Sequence, residues 1–323
     1  MTLGKWTCMY ETIGYGVLFC AALYILIKSS DYFVEFSEKA GILLGIPPFI
    51  VGVVIVSVGT SLPELVSSIA AVLQGTPNIV AGNVVGSNIA NIFLVLGLAA
   101  LASPKKIRTE HTIINVDLPF LMGSAFLVSA MMWDGTFSRV DSAISILAGA
   151  VYVYYTTTVR DKELEKEMKK EISAGRKMKG MKTAAGLAVT SAIIYFSAKY
   201  TITGATGLAR TFGVGNDIIG LTALALGTSL PELSVTVRAA RKGKGALAVG
   251  NVLGSNIFNS FAVMGVPGII TTLPVTAEII SFALPMMIAA TLIFFAATQD
   301  NEVTKWEGAF LLLFYAFFII HVF

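Results

Sequence analysis

The sequence predicts an all-α membrane protein: ten transmembrane helices laid out as two inverted five-helix repeats, with broken helices where a duplicated polar motif falls. Three observations carry that prediction. Of 323 residues, 55% are apolar and only 13% are charged, about half the charge of an average soluble domain. The apolar residues gather into stretches of the roughly 20 that a bilayer crossing needs. One signature also occurs twice inside such stretches, as Gly59-Thr60-Ser61-Leu62-Pro63-Glu64 and Gly227-Thr228-Ser229-Leu230-Pro231-Glu232.

In chain order the stretches centre on residues 12–27, 49–73, 79–102, 116–133, 142–158, 184–208, 218–237, 246–270, 279–297 and 308–322. The first has no basic run ahead of it and no small-residue cleavage site behind it, so it is expected to be retained as a helix. Lys28, Asp31, Glu35, Glu38 and Lys39 follow and are expected to form its amphipathic, solvated end. Thr12-Ile13-Gly14-Tyr15-Gly16 looks like a channel filter, but a filter needs a pore helix and an outer helix before it; its glycines are read as packing positions. Nine Lys or Arg between Arg160 and Lys182 alternate with Asp161, Glu163, Glu165, Glu167 and Glu171. Such mixed charge suits a solvated linker and excludes a nucleic-acid patch. The chain thus divides as one membrane domain, 1–323, made of a first repeat 1–159, a cytoplasmic linker 160–182 and a second repeat 183–323. Cys8 and Cys20 lack metal-type spacing and are read as free thiols.

When loops are assigned alternately to two sides, 19 of the 23 Lys and Arg fall on one of them. The positive-inside rule makes that side cytoplasmic and puts both termini outside. Residues 57–97 align with 225–265 without a gap, with 20 identities in 41 positions. Five helices separate equivalent points, and five is odd, so the second copy must run upside down. Inverted repeats of this kind place a binding site at their interface near mid-bilayer, and are the plan of secondary transporters.

Between Ala40 and Pro104 the one charged side chain is Glu64. A carboxylate among lipid tails costs about 3 kcal/mol on insertion scales, so it is expected to face the interior with a partner. Pro63 removes a backbone donor and should leave carbonyls of Ser57, Gly59 and Thr60 without helical partners. The inverted copy repeats this with Glu232, Pro231, Ala225 and Thr228. Two carboxylates and several carbonyls then converge, joined by the hydroxyls of Ser61, Ser229, Ser87 and Ser255 and the amides of Asn91 and Asn259. An oxygen-only set of this kind suits hard cations, calcium above all with its 6–8 ligands; without thiolate or imidazole it does not suit zinc or copper.

Each residue also has a blander use. Ser61 and Ser229 could be N-caps whose Glu three residues on completes a capping box. The serines, Asn83 and Asn251 could simply bond between helices. Gly82, Gly86, Gly97, Gly250, Gly254 and Gly265 suit close helix packing in lipid.

With the following Gly-Ser-Asn-Ile-x-Asn blocks, 86–91 and 254–259, the paired signatures resemble the alpha-repeats of the sodium/calcium exchanger family. The resemblance implies four ion sites between the second, third, seventh and eighth helices. Calcium would be held by Glu64 and Glu232 with the carbonyls of Thr60 and Thr228. Sodium would use the same glutamates with Ser61, Ser87, Ser229, Ser255 and the carbonyls of Ser57 and Ala225. Potassium-dependent relatives carry Asp where this chain has Asn259, so no potassium requirement is expected. Acids that proton-exchanging relatives place in the core are also missing here.

The expected function is therefore a secondary active antiporter of three Na⁺ for one Ca²⁺ in the cell membrane of a prokaryote. A proton/calcium antiporter is the alternative and a cation channel a remote one. Neither a nucleophile nor a nucleotide loop accompanies the glutamates, so catalysis is not expected. No cofactor is expected, and the partners are the transported ions and the bilayer; nothing calls for an obligatory protein partner, and a monomer is expected. The resemblance further implies that the first and sixth helices, roughly 12–40 and 184–211, slide past a rigid core.

Overall fold

The computed structural model describes residues 2–108, 116–158, 177–212 and 229–322. Most of the expected linker, and the first part of the seventh apolar stretch, lie outside these residues. The described chain is almost entirely helical, running α1 (Thr2–Leu44), α2 (Pro48–Leu73), α3 (Asn78–Ala102), α4 (Asp117–Met132), α5 (Arg139–Thr158), α6 (Lys177–Thr211), α7 (Leu230–Arg241), α8 (Gly245–Ile270), α9 (Ile279–Thr298) and α10 (Lys305–Val322). Six of the described helices are long and apolar enough to cross a membrane, and α4 is apolar but shorter.

Their outer faces are apolar rather than polar. Leu147, Val151 and Leu313 are more than half exposed, which is tolerable only where lipid replaces water. Trp133 and Trp306 stand 65% and 85% exposed just outside α4 and near the start of α10, positions suited to the headgroup belts.

Two short antiparallel ribbons tie the halves together. β1 (Ile107–Arg108) pairs with β4 (Glu302–Val303), and β2 (Thr136–Phe137) pairs with β3 (Leu273–Pro274). Because α9 runs between β3 and β4, the ribbons sit at opposite ends of the bundle. Each joins a loop of the first half to a loop of the second.

The expected break at the first proline signature takes another form, while the residues leading into the second lie outside those described. α2 passes through Pro63 without interruption, and its irregularity comes earlier, as a π-helical stretch over Val51–Val56. The missing N–H of Pro63 leaves the Gly59 carbonyl without its helical donor, while the Ser57 carbonyl accepts the Thr60 hydroxyl at 3.3 Å. π turns also interrupt α3 at Asn91–Leu96 and α8 at Asn259–Val263. A π turn shifts the backbone hydrogen-bond register by one residue, and such turns gather at functional sites.

α2 and α8 cross at backbone contact. A Cβ added at Gly250 would overlap the Phe49 carbonyl oxygen, and one at Gly254 the Val53 carbonyl oxygen. Gly97 and Gly265 are crowded in the same way, by Gly308 and Ile146, whereas no described atom comes within 4 Å of a Cβ at Gly86. The packing expectation therefore holds for the second-half glycines and Gly97, but gains no support at Gly86.

α1 packs along most of its length on α6 and far more lightly on the rest of the bundle. Glycines of α6 receive aromatic rings of α1, Phe36 over Gly186 and Tyr15 over Gly207. Lys28, Glu35 and Lys39 are exposed, as expected of a solvated helix end, but the acids there also hold partners from the second half. Asp31 accepts from Arg238 Nε at 2.9 Å and pairs with Lys242 at 3.2 Å; Lys242 also reaches Glu35 at 3.5 Å, and Lys244 pairs with Glu38. Local pattern could not reveal this, because the partners lie some 200 residues away. Replacing Asp31 by Asn leaves a half-buried guanidinium without its carboxylate, so unfolding should become easier by about 1–3 kcal/mol. A thermal melt of the purified variant measures it.

Candidate cation site

The site forms where α2 and α3 of the first half meet α7 and α8 of the second. Glu64 and Glu232 are each 1% exposed, on α2 and in the first turn of α7. Their carboxyls are direct electrostatic neighbours. Ser61 donates its hydroxyl to Glu232 Oε1 at 2.7 Å, a bond between the two halves. That bond settles the capping question. Ser229 sits at the N-cap of α7 but makes no side-chain cap, and Glu232 turns to Ser61 instead.

The remaining oxygens gather in matched pairs. Ser87 and Ser255 are buried on α3 and α8; Asn91 and Asn259, 1% and 0% exposed, begin the π turns of those helices. Thr60 is buried, and Ser57 is fully enclosed with its hydroxyl turned onto the Val53 carbonyl. Ala225 and Thr228 lie outside the described residues.

Buried atoms without hydrogen bonds concentrate in and beside the cage. Both oxygens of Glu64, Oε2 of Glu232, the hydroxyls of Ser229 and Ser255 and both amide atoms of Asn91 and Asn259 are buried without a partner. Buried polar atoms are normally paired, since each orphan costs about 1–3 kcal/mol. So dense a group of orphaned oxygens fits a bound hard cation.

Asn83 and Asn251, by contrast, serve the bland role considered for them. Asn83 donates to Ser68 at 3.4 Å and Asn251 to Thr236 at 2.7 Å. Asn251 Oδ1 also accepts from the Thr60 hydroxyl at 3.4 Å. Ser68 and Thr236, like Asn83 and Asn251, stand at equivalent positions of the repeat, so the two halves fold alike at this detail.

Sequence reasoning passed over one pair. Asn88 donates to Ser260 at 3.0 Å and to the Asn256 carbonyl at 3.4 Å, while its Oδ1 and both amide atoms of Asn256 stay unpartnered. The two are repeat equivalents and hold α3 against α8 beside the cage. Their place inside both Gly-Ser-Asn-Ile-x-Asn blocks was the available signal.

Buried oxygens gathered between repeated halves, inside helices faced for lipid, are what a membrane antiporter for cations requires. The comparisons with known proteins agree. The family model described as sodium/calcium exchanger protein matches residues 14–158 and 182–323. The sodium/calcium exchanger MaX1 of Methanosarcina acetivorans is 35% identical over 97% of this chain and 99% of its own length. Inner membrane protein YrbG of Escherichia coli is 32% identical over 79% of each chain. Among solved structures, the sodium-calcium exchanger NCX_Mj soaked with zero Na⁺ and Ca²⁺ superposes with a TM-score of 0.83 and 26% identity, covering 97% of this chain and 99% of that one. This chain belongs to the sodium/calcium exchanger family.

Proposed function

We propose that the protein exchanges three sodium ions for one calcium ion across the cell membrane of a prokaryote, without potassium, through ten spans in two inverted repeats and with both termini outside. One observation carries the reading: Glu64 and Glu232, supplied by the two halves, share one buried cage with most of their carboxylate oxygens unpaired. Thr60, Ser61, Ser57, Ser87 and Asn91 line it from the first half. Ser229, Ser255 and Asn259 complete it from the second, and Ala225 and Thr228 are assigned as further ligands from their place in the repeated motif.

The charge on the cage explains exchange. Two carboxylates give −2, which one Ca²⁺ cancels and which an empty protein must carry in a low-dielectric interior. The empty carrier therefore reorients poorly, and only a loaded one switches sides. Three Na⁺ on the same cage leave +1, so each cycle moves one net charge, worth about 2.3 kcal/mol per 100 mV. The extensive pairing of α1 with α6, and their lighter contact with the rest, supports these two as the moving elements.

Sodium-loaded proteoliposomes diluted into sodium-free medium should accumulate calcium. Each turnover then carries one positive charge outward, so an inside-positive potential should accelerate uptake and an inside-negative one slow it. Uptake indifferent to voltage points to two-for-one exchange, and uptake without sodium selects proton coupling. Protons compete for the same carboxylate oxygens, so the flux should fall several-fold between pH 7.5 and pH 5; an unchanged flux at pH 5 counts against a cage charged by Glu64 and Glu232.

A further inference from the structure

At one end of the bundle the loops after α3 and α7, with Glu38 of α1 and Pro48 of α2, line an open cavity of about 890 Å³. Its wall carries Lys105, Lys106, Arg108, Arg241, Lys242 and Lys244, against a single acid, Glu38. Four carboxylates reach these six cations: Glu302 binds Lys106 and Arg108, Asp31 and Glu35 bind Lys242, and Glu38 binds Lys244. Asp31 is shared with Arg238, so the cluster of seven cations and four carboxylates keeps an excess of three positive charges, and Lys105 and Arg241 have no ion pair among the described residues.

The first turn of α8 adds to this field, for Gly245, Ala246 and Leu247 line the same wall. The amides that open a helix have no acceptor within it, and the helix dipole favours an anion there. Gly245 also lets the strand β1 approach closely, since a Cβ there would stand 3.0 Å from the Arg108 nitrogen. The cavity's depth is as informative as its charge. It lies where α2 begins at Pro48, α3 has just ended at Ser103 and α8 begins at Gly245, at the level of the lipid headgroups.

We propose that this cavity is a phosphate-binding site, seated to take the headgroup of an anionic phospholipid. The proposal is independent of the transported ions, since it rests on a cavity at the bundle's end and not on the central cage.

The test is native mass spectrometry of the full chain in neutral detergent, titrated with phosphatidylglycerol, with phosphatidylcholine, or with inorganic phosphate. One phosphatidylglycerol should be retained per chain in preference to phosphatidylcholine, and added salt should release it. The pair Lys105→Gln and Arg241→Gln should weaken retention about 10-fold or more, while Lys105→Arg with Arg241→Lys keeps it. Inorganic phosphate binding where the lipid does not would uphold the phosphate chemistry and overturn the lipid as its source. Equal retention of both lipids by the wild-type protein, or full retention in the Gln pair, overturns the site. Should the Gln pair fail to fold, the lipid preference and salt release of the wild-type chain decide the matter.

Discussion

Glu64→Gln and Glu232→Gln, each alone, will reduce sodium-driven calcium uptake into proteoliposomes to the level of protein-free vesicles. Glutamine keeps the shape and one oxygen, so the change removes charge with little change of volume. At about 4 Å and an effective dielectric of about 20, a unit charge contributes roughly 4 kcal/mol to holding even a monovalent ion. That is about three orders of magnitude in affinity, and a divalent ion loses more. The penalty falls equally on either residue because the two carboxyls are neighbours in one cage. Both variants should fold, since most of the carboxylate oxygens concerned hold no hydrogen bond that folding would miss. Uptake above a tenth of wild type in either variant, with the protein reconstituted to the same level, would refute the assignment of these residues as shared ligands.

The second large effect is structural. Gly254→Val should remove most folded protein, because its Cβ and two methyls would occupy the place of the Val53 carbonyl. Overpacking a well-fitted contact typically costs 1–3 kcal/mol, and backbone has less room to give than a side chain. α2 carries Ser57, Thr60, Ser61 and Glu64, while α8 carries Ser255 and Asn259, so prying them apart also misplaces the residues proposed as ligands. Gly123→Val on α4 is the control, since no described atom lies within 4 Å of its Cβ. Fluorescence-detected gel filtration before and after heating would compare the two. Equal melting of both variants would show that the crossing tolerates separation.

Much of the site was legible because membrane sequence makes polar residues conspicuous. Glu64 stands alone among dozens of uncharged residues, and its recurrence at Glu232 with the same proline marked both the buried cage and the repeat. The bland role of Asn83 and Asn251 was equally readable, since each shares its repeat half with a hydroxyl fifteen residues away, at Ser68 and Thr236. What escaped depends on distance or on backbone register. The acids of α1 look like a wet helix end until Arg238 and Lys242 are brought against them, and no local pattern contains that meeting. The π turns at Asn91 and Asn259 leave no mark in composition. Pro63 suggested a broken helix, yet α2 continues past it, because a proline withholds one hydrogen bond and the neighbouring turns can carry the rod through.

The two little ribbons have a mechanical meaning. β1 with β4, and β2 with β3, button the halves to each other at opposite ends of the bundle, which resists a clam-like gaping of the helices between those fastenings. The proposed movement of α1 and α6 places access outside that buttoned block, on two rods that neither ribbon stitches down. On that proposal a cross-link spanning either ribbon should leave the turnover rate unharmed.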